Sequence, residues 1–444
     1  MAAESQLKRP PLHRFQVLIV LLCALLNALD GYDIFIMGFA IPYFPDDFAS
    51  NTMQGYLISA ALLGMGIGSV AFAPLADRYG RRLVLVAGLT LNAVGLTASA
   101  LAPNYWVLLS SRVVTGIAVG TIATVVVVLA PEVVPRAWRS FAVGVVMCGY
   151  PLGSTIAGFT GAALLAAVGG SWQGMFWVGL ILCLVALVAT LIFMPESTAF
   201  LISKGDPDSL QKAAATQRRL GLEHDTPAQT GNDEVRKNPA TVRLLGRELR
   251  TLTLLLWTTY TALSASFYFI SSWTPKLISD ATSDKAEGAL AGLMISFGTL
   301  AGAALYATIG HRISPPRYVV GGAVVAIVAL VGFASTLNGM FALVMAALMG
   351  ITVYGAMAAT VTSTLVYPVL LRTRGMGSMI GVARVGAILA PILAGYALSF
   401  VSIRSLYFSV VALLVLALLA AISLLGLSRK SSESSETHSL QTNR

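Results

Sequence analysis

The chain contains twelve apolar runs, each long enough to cross a lipid bilayer as a helix. A helix needs about 20 mostly apolar residues to span the hydrocarbon core. Of the 444 residues, 56% are hydrophobic and only 11% are charged, a composition outside the range of soluble globular domains. The pattern predicts an all-α membrane protein with twelve transmembrane helices, at roughly 15–40, 54–76, 83–102, 106–130, 141–168, 172–194, 251–271, 288–309, 318–337, 340–366, 375–399 and 404–427.

The basic residues are distributed unevenly between the two sides of these predicted spans. Of 29 lysines and arginines, 24 fall in the N-terminal tail, in the loops on that same side, or in the C-terminal tail. Three lie on the other side (Lys276, Lys285 and Arg404), and two lie within spans (Arg112 and Arg384). Because basic loops are retained in the cytoplasm, both termini are predicted to be cytoplasmic. The net charge of +9 therefore indicates topology, and we expect no nucleic-acid partner.

The two halves of the chain repeat one pattern. Glycines recur at a constant offset in residue number, and a Pro-x-x-x-Arg-x-x-x-x-Gly motif recurs at nearly the same offset. The matching pairs are Gly64 with Gly298, Gly68 with Gly302, Gly116 with Gly350, Pro135 with Pro368, Arg139 with Arg372, and Gly144 with Gly377. The repeat predicts two pseudo-twofold-related six-helix bundles, an arrangement suited to alternating access. The predicted domains are a bundle at 1–194, a cytoplasmic linker at 195–250, a bundle at 251–428 and a disordered tail at 429–444.

The first span carries two acids in the segment DGYD, Asp30 and Asp33. A carboxylate at the bilayer centre costs about 2.5–3.5 kcal/mol on insertion scales, so such residues are usually functional. The two lie one helical turn apart, and Asn27 extends the polar stripe by another turn. This stripe is expected to face the central cavity, so Asn27 and Asp30 are also candidates for substrate binding. Since neighbouring carboxylates in a low dielectric do not readily ionise together, one of them is a candidate proton carrier. A structural hydrogen-bonding role next to Gly31 is the alternative.

Two arginines also fall within predicted spans. Arg384 stays ionised and offers a donor fork matched to a carboxylate, so it is a candidate for binding a substrate anion. The alternative is an internal ion pair with Asp30 or Asp33. Arg112 is a candidate for proton coupling or, equally, for structural support of the first span. The acids of the first half have no counterpart at the repeat-related positions of the second half.

Several motifs in order resemble those of the major facilitator superfamily. APLADRYGRR at 73–82 resembles its loop signature, Arg112-x-x-x-Gly116-x-x-x-Gly120 its fourth span, EVVPRAWRS at 132–140 a second loop motif, and PES at 195–197 the end of its sixth span. DGYD and GVARVGAILAP at 381–391 are similar to segments of the aromatic acid:proton symporter family. The resemblance implies the major facilitator fold and a cytoplasmic latch that opens during transport. The implied gating residues are Asp77, Arg78, Gly80, Arg81, Arg82, Glu132, Arg139 and Arg372.

Four tyrosines within or near the spans could flank a planar substrate: Tyr32, Tyr150, Tyr268 and Tyr354. Helix packing or anchoring at the membrane interface is the alternative for each. Tyr150 is the preferred candidate, because it precedes Pro151 and is near the position related by the repeat to Arg384.

These observations predict a proton-coupled symporter that imports a small organic anion into a bacterial cell across the inner membrane. The family resemblance favours an aromatic carboxylate. An aliphatic mono- or dicarboxylate such as a muconate, proton-coupled efflux by antiport, and a membrane sensor of such acids stay open as alternatives. No nucleotide-binding P-loop, nucleophile–base set or metal-ligand cluster occurs, so we expect no enzyme activity, metal or cofactor, and a proton gradient as the energy source. The expected partners are the acid, protons and the lipid bilayer, with a monomeric chain.

Overall fold

The computed structural model describes residues 11–167, 171–222, 244–246, 249–364, 367 and 369–442. Within these ranges the chain is built of helices, and no strand occurs. The first half contains α1 (Arg14–Ala40), α2 (Asn51–Ile67), α3 (Leu75–Tyr79), α4 (Arg81–Ala100), α5 (Tyr105–Leu129), α6 (Arg139–Ala167) and α7 (Gln173–Phe193). Two short helices follow, α8 (Thr198–Lys204) and α9 (Pro207–Leu220). The second half contains α10 (Arg250–Thr282), α11 (Lys285–Ile309), α12 (Pro315–Thr336), α13 (Gly339–Ser363), α14 (Val369–Ala397) and α15 (Ile403–Thr442).

Eleven of the described helices are long and apolar enough to cross a membrane. The predicted seventh span corresponds to α10, which is also long but contains many serines and threonines. Their hydroxyls donate to carbonyl oxygens of the same helix, as Thr259 does to Leu255 and Ser266 to Ala262, each at 2.8 Å. Hydroxyls satisfied in this way lower the cost of placing α10 in an apolar environment, although those of Thr261, Ser271 and Ser272 have no partner among the described residues. Over the residues that the structure describes, each of the twelve predicted spans is helical.

The sequence repeat reappears as a repeat of helix packing. A Cβ built on Gly64 would lie 2.3 Å from the carbonyl oxygen of Val113, and one on Gly298 would lie 2.1 Å from that of Ala347. Both members of the second pair are related to those of the first by the offset of the sequence repeat. Gly68 against Ile117 and Gly302 against Ile351 repeat the relation one turn later. In each half, glycine allows two helix backbones to touch, as is usual for membrane helices.

The chain divides into two compact units. The first unit contains Met1–Ile34, Leu63–Ile156 and Gln173–Thr230, and the second contains Phe35–Leu62, Ala157–Trp172 and Gly231–Arg444. The second unit therefore includes segments of the first sequence half.

Close backbone contacts explain why these segments join the second unit. A Cβ built on Gly38 would lie 2.7 Å from the carbonyl oxygen of Ser272. One built on Gly55 would lie 2.7 Å from the carbonyl oxygen of Pro391. The second unit is thus held together at the end of the helices opposite the N-terminus of α1. The predicted domain boundaries at residues 194 and 251 follow the sequence repeat. The boundaries of the two compact units instead follow the contacts between residues in the structure.

The predicted linker at 195–250 begins with α8 and α9, while 223–243 and 247–248 lie outside the described residues. The helix α9 returns to the start of α1, where Gln16 Nε2 donates to the carbonyl oxygen of Leu220 at 2.7 Å. At the other end of the chain, α15 continues to Thr442, through most of the tail that the sequence predicts to be disordered. That segment contains no proline or glycine to end the helix.

Candidate functional site

The first compact unit contains a buried cluster of one acid, one base and one amide inside its membrane-spanning helices. Arg112 Nη2 lies 3.3 Å from Asp33 Oδ1, and Asn92 Nδ2 donates to Asp33 Oδ2 at 2.8 Å. The side chains come from α1, α4 and α5. At most 2% of each is exposed, so the pair is shielded from solvent. The structure therefore joins two of the predicted residues, Asp33 and Arg112, and adds Asn92.

Close packing of α4 on α5 brings Asn92 and Arg112 to the same acid. A Cβ on Gly95 would lie 2.6 Å from Cγ2 of Thr115, so only glycine leaves room for this approach. One turn away, the hydroxyls of Ser99 and Ser111 share a hydrogen bond of 2.8 Å across the same interface. The small residues of α4 thus determine the distance between the helices that carry the cluster.

Arg112 makes several contacts at once. Besides the Asp33 carboxylate, its guanidinium donates to the backbone oxygen of Asp33 at 3.4 Å and to the hydroxyl of Thr115. Its Cζ lies 5.3 Å from the centre of the Phe176 ring. Its Nε, however, has no hydrogen-bond partner among the described residues. The guanidinium is paired with Asp33, but one of its N–H groups has no acceptor among the described residues. The stability of this buried cation therefore depends on the negative charge of Asp33.

Asp30, the other acid of DGYD, is 2% exposed and lies where α1 and α6 touch. A Cβ on Gly31 would lie 2.0 Å from the carbonyl oxygen of Tyr150, and one on Gly153 would lie 1.8 Å from that of Ala28. Asn27 donates to the carbonyl oxygen of Val146 at 2.8 Å, which ties α1 to α6. The structure thus gives Asn27 a hydrogen-bond partner in α6 and places the backbone of Tyr150 against Gly31, the neighbour of Asp30.

The remaining predicted tyrosines have different environments. The Tyr32 hydroxyl donates to the carbonyl oxygen of Met175 at 2.8 Å, joining α1 to α7. In the second unit, Tyr268 stacks on Phe35 with ring centroids 6.4 Å apart. Phe267 lies 5.4 Å from Tyr268 and 5.4 Å from Tyr354. Two of the four candidates, Tyr268 and Tyr354, therefore belong to one aromatic cluster.

Arg384 belongs to the second unit and is half-buried on α14. Two residues later, Gly386 packs against Thr261 of α10, with 2.6 Å between a built Cβ and Thr261 Cγ2. Tyr260, the neighbour of Thr261, lies within electrostatic range of both Arg384 and Tyr268. Tyr260 is not among the residues predicted from the sequence, although it lies two turns before Tyr268 on the same helix.

Most of the predicted gating residues of the first unit form a second polar cluster, beyond the ends of α2 and α7. Gly80 has φ of 103°, a conformation that favours glycine, and it turns the chain into α4. Glu196 Oε1 accepts hydrogen bonds from the backbone N–H groups of Arg81 at 2.8 Å and Arg82 at 3.2 Å. An acid at this point satisfies free N–H groups and complements the helix dipole.

Arg81 is the centre of this cluster. Its guanidinium pairs with Glu132 and lies 3.9 Å from Asp77, and Glu132 accepts from the Ser197 hydroxyl at 2.7 Å. Arg82 Nη2 donates to the carbonyl oxygen of Leu191 at 2.6 Å. These contacts connect the two loop motifs and the PES segment.

Three other predicted gating residues lie apart from the contacts of Arg81. Arg78 stacks on Tyr79 at 5.3 Å, and Arg139 is half-buried. In the second unit, Arg372 Nε donates to the carbonyl oxygen of Tyr367 at 3.0 Å.

Asn92 and Glu196 are two further residues that sequence reasoning left out of the site. Asn92 is the single amide in its span, and a polar group there needs a partner. Glu196 belongs to the quoted PES motif, but the motif alone does not indicate which helix it caps. Both signals are present in the sequence, but their partners lie on distant segments of the chain.

Comparison with known proteins identifies the class. The chain matches the model of the Major Facilitator Superfamily over residues 23–369 and belongs to that family of membrane transporters. The 4-hydroxybenzoate transporter PcaK of Pseudomonas aeruginosa is 31% identical over 87% of both chains. The gallate transporter of Pseudomonas putida is 31% identical, with 88% of this chain and 87% of the relative covered. The resemblance to aromatic acid transporters is thereby confirmed.

Solved structures confirm the fold. A D-xylose–proton symporter superimposes with a TM-score of 0.70 at 16% identity, covering 92% of this chain and 97% of the symporter. A partially occluded, inward-open structure of the xylose transporter XylE from E. coli has a TM-score of 0.72 at 16% identity, with 92% and 98% covered. The predicted twelve-helix major facilitator fold is therefore correct.

Proposed function

We propose that this transporter imports a small aromatic carboxylate together with protons, by alternating access. The observation that carries the proton coupling is the buried ion pair of Asp33 and Arg112, which Asn92 completes. The names of the relatives support the substrate class, since they transport 4-hydroxybenzoate and gallate. A relative from Escherichia coli, 27% identical over 85% of this chain, is named for 3-(3-hydroxyphenyl)propionate.

The ion pair suggests how proton and anion binding depend on each other. A proton on Asp33 removes the charge that compensates Arg112, and a buried cation without a counter-charge is strongly destabilised. A monocarboxylate bound at Arg384, as assigned below, restores the net charge of the molecule, so the protonated state binds the anion more tightly. By linkage, a bound anion favours proton uptake to the same degree. One proton and one monocarboxylate then cross together without net charge.

The second unit supplies the proposed recognition elements. Arg384 offers a positive charge, and Phe267, Tyr268 and Tyr354 form the aromatic cluster. Tyr260 lies within electrostatic range of both Arg384 and Tyr268. A cation beside aromatic faces suits a ligand with a carboxylate at one end and a ring at the other. We assign the carboxylate to Arg384 and the ring to this cluster.

The polar cluster around Arg81 is the proposed cytoplasmic gate. Its pairs with Glu132 and Asp77, and the cap that Glu196 provides, are partly exposed. Such pairs contribute little stability individually, so they can be exchanged during a conformational cycle. Arg139 and Arg372 are proposed to contribute at the corresponding position of the repeat. We further propose a monomer in the bacterial inner membrane, with cytoplasmic termini and no cofactor.

Uptake into proteoliposomes tests this function. The purified protein is reconstituted, an inside-alkaline pH gradient is imposed, and labelled 4-hydroxybenzoate, benzoate and cis,cis-muconate are supplied outside. We expect the aromatic acids to accumulate above their external concentration, and the accumulation to disappear when a protonophore collapses the gradient. Accumulation that ignores the gradient would rule out symport, and accumulation under the opposite gradient would indicate antiport.

Two variants test whether Asp33 couples proton uptake to transport of the acid. Asp33→Asn should abolish gradient-driven accumulation while exchange of labelled for unlabelled acid continues, because the neutral amide mimics the protonated acid. Asp206→Asn is the matched control, since Asp206 caps α9 by accepting from Ser209 N–H at 2.9 Å and asparagine caps equally well. The hydrogen bonds with Ser209 lower the pKa of Asp206, so this exposed carboxylate stays ionised in the assay. Equal loss in both variants would contradict the assignment of Asp33.

A further inference from the structure

A polar cavity of about 650 Å³ lies in the second compact unit, at the end of the helices opposite the N-terminus of α1. Its volume falls within the roughly 300–1,000 Å³ typical of small-molecule sites. The lining comes from the chain around the ends of α1, α2, α10, α11 and α14. We call this cavity the outer vestibule, since the proposed orientation of the termini places it on the exterior face.

The outer vestibule concentrates the rare basic residues of that face. Lys276 and Lys285 line it, and they are two of the three basic residues predicted to be exterior. Lys276 Nζ pairs with Asp280 at 2.5 Å, and Lys285 Nζ lies 5.0 Å from the centre of the Tyr43 ring. Asp46 and Asp280 also line the cavity, so an anion must compete with Asp280 for Lys276. Lys285 has no such competing pair among the described residues.

A buried amide supplies an unused acceptor. Gln54 lines the vestibule and is 7% exposed. Its Nε2 donates to the carbonyl oxygen of Ala49 at 2.9 Å, which determines the orientation of the amide. Its Oε1 has no hydrogen-bond partner among the described residues. A buried acceptor of this kind is stabilised by a ligand that brings an O–H or N–H donor.

An apolar wall completes the lining. Pro42, Phe44 and Pro45 contribute to it, and Phe44 is held by Phe48 at 4.9 Å and Trp172 at 5.0 Å between ring centroids. A flat ring can pack on such a wall. The vestibule thus combines two lysines, of which Lys276 is paired with Asp280, a buried acceptor without a partner among the described residues, and an aromatic surface.

From these contacts we infer that the outer vestibule binds a hydroxylated aromatic carboxylate before the anion enters the transport path. The lysines take the carboxylate, the wall takes the ring, and Gln54 Oε1 accepts from the phenolic hydroxyl. This inference rests on the proposed function and orientation, and it adds a second site, separate from Arg384. It predicts a preference for hydroxylated acids at the vestibule, because Gln54 offers an acceptor that a phenol can use and an unsubstituted ring cannot.

Kinetics of uptake test the role of the lysines. The double variant Lys276→Gln/Lys285→Gln should raise the KM for external 4-hydroxybenzoate roughly threefold to tenfold, the scale of losing two partly screened charge contacts. The maximal rate should stay unchanged. Arg404→Gln is the matched control, because Arg404 is the third predicted exterior cation and does not line the cavity. An unchanged KM in the double variant, or an equal rise in KM with Arg404→Gln, would contradict the proposed binding of the acid in the vestibule.

A second experiment addresses Gln54 through selectivity. Gln54→Met keeps the length of the side chain and removes the acceptor, so it should reduce the preference for 4-hydroxybenzoate over benzoate. A merely structural defect would slow both acids equally and leave the ratio intact, which would contradict the assignment.

Equilibrium dialysis of labelled 4-hydroxybenzoate with the purified protein gives an answer independent of transport. The wild type should bind two molecules per chain, and the lysine double variant should bind one. A single binding site in both proteins would rule out binding in the vestibule even if uptake is normal. Conversely, two binding sites without any uptake would contradict the proposed transport function but support binding in the vestibule.

Discussion

Asp33 and Asp30 are three residues apart on α1, yet the structure gives them different surroundings. Asp33 is held by Arg112 and Asn92 in a fully buried pair, whereas Asp30 lies at the crowded crossing of α1 and α6. Three residues advance the helix by about 4.5 Å and leave the two side chains about 60° apart around its axis, so the two acids can meet different helices. The functional roles proposed for the two acids should therefore be separable by mutation.

The first prediction concerns the charge balance of this pair. Arg112→Gln leaves the Asp33 carboxylate buried without its counter-charge, which should destabilise the protein by about 3–5 kcal/mol. Adding Asp33→Asn removes the uncompensated charge and should restore most of that stability. Urea or guanidinium unfolding of the detergent-solubilised protein, followed by tryptophan fluorescence, measures both.

Transport separates this stabilising role from coupling. The stable double variant should still fail to accumulate acid against the gradient, since neither the proton carrier nor its counter-charge remains. If the double variant unfolds as easily as Arg112→Gln alone, the pair does not balance charge as proposed.

Among the helices, glycine contacts define how the membrane spans pack. Gly64 and Gly298 occupy equivalent positions in α2 and α11, and each lies against the backbone of a helix in its own half, α5 or α13. Without the hydrophobic effect to drive helix association in lipid, such close contacts supply van der Waals energy. The repeat is therefore maintained by packing and not by charge, because the intramembrane acids of α1 are not repeated.

The second prediction tests these contacts. Gly64→Ala and Gly298→Ala each force a methyl group against a carbonyl oxygen and should destabilise the protein by about 1–3 kcal/mol, as overpacking does. Gly66→Ala, in the same helix as Gly64, meets no atom within 4 Å and serves as control. The control should be neutral or slightly stabilising, because alanine favours helix by about 0.5–1 kcal/mol. Equal effects at Gly64 and Gly66 would show that helix propensity and not contact is responsible.

For the molecule as a whole, the distribution of basic residues predicts the orientation in the membrane. A third prediction therefore uses a background in which Cys23, Cys148 and Cys183 are replaced by alanine, since all three are free thiols. Leu101→Cys at the end of α4 should react with a membrane-impermeant maleimide in intact cells, whereas Asp208→Cys in α9 should react only after permeabilisation. The reverse pattern would invert the predicted topology and place the outer vestibule in the cytoplasm.

Much of this architecture could be predicted because membrane insertion imposes simple rules. Runs of about 20 apolar residues must become helices, since no other single segment satisfies its backbone in lipid. The constant offset between the two halves, a feature of the sequence alone, indicates the matched contacts of Gly64 and Gly298. Charged residues in an apolar run are recognisable as a site by their insertion cost, and Asp33 and Arg112 do meet.

The partners of these charges could not be predicted, because each lies on a different helix far along the chain. Arg112 and Arg384 were both candidates to lie near the acids, and only the packing of α4 against α5 at Gly95 joins Arg112 and Asn92 to Asp33. Glu196 is a similar case, since its role as a cap depends on where α4 begins in space. The order of amino acids is enough to specify which segments enter the membrane, that they repeat, and which charges they carry. Which of those charges meet depends on the three-dimensional packing, because helices in a bilayer pair through small-residue contacts whose geometry a one-dimensional pattern does not encode.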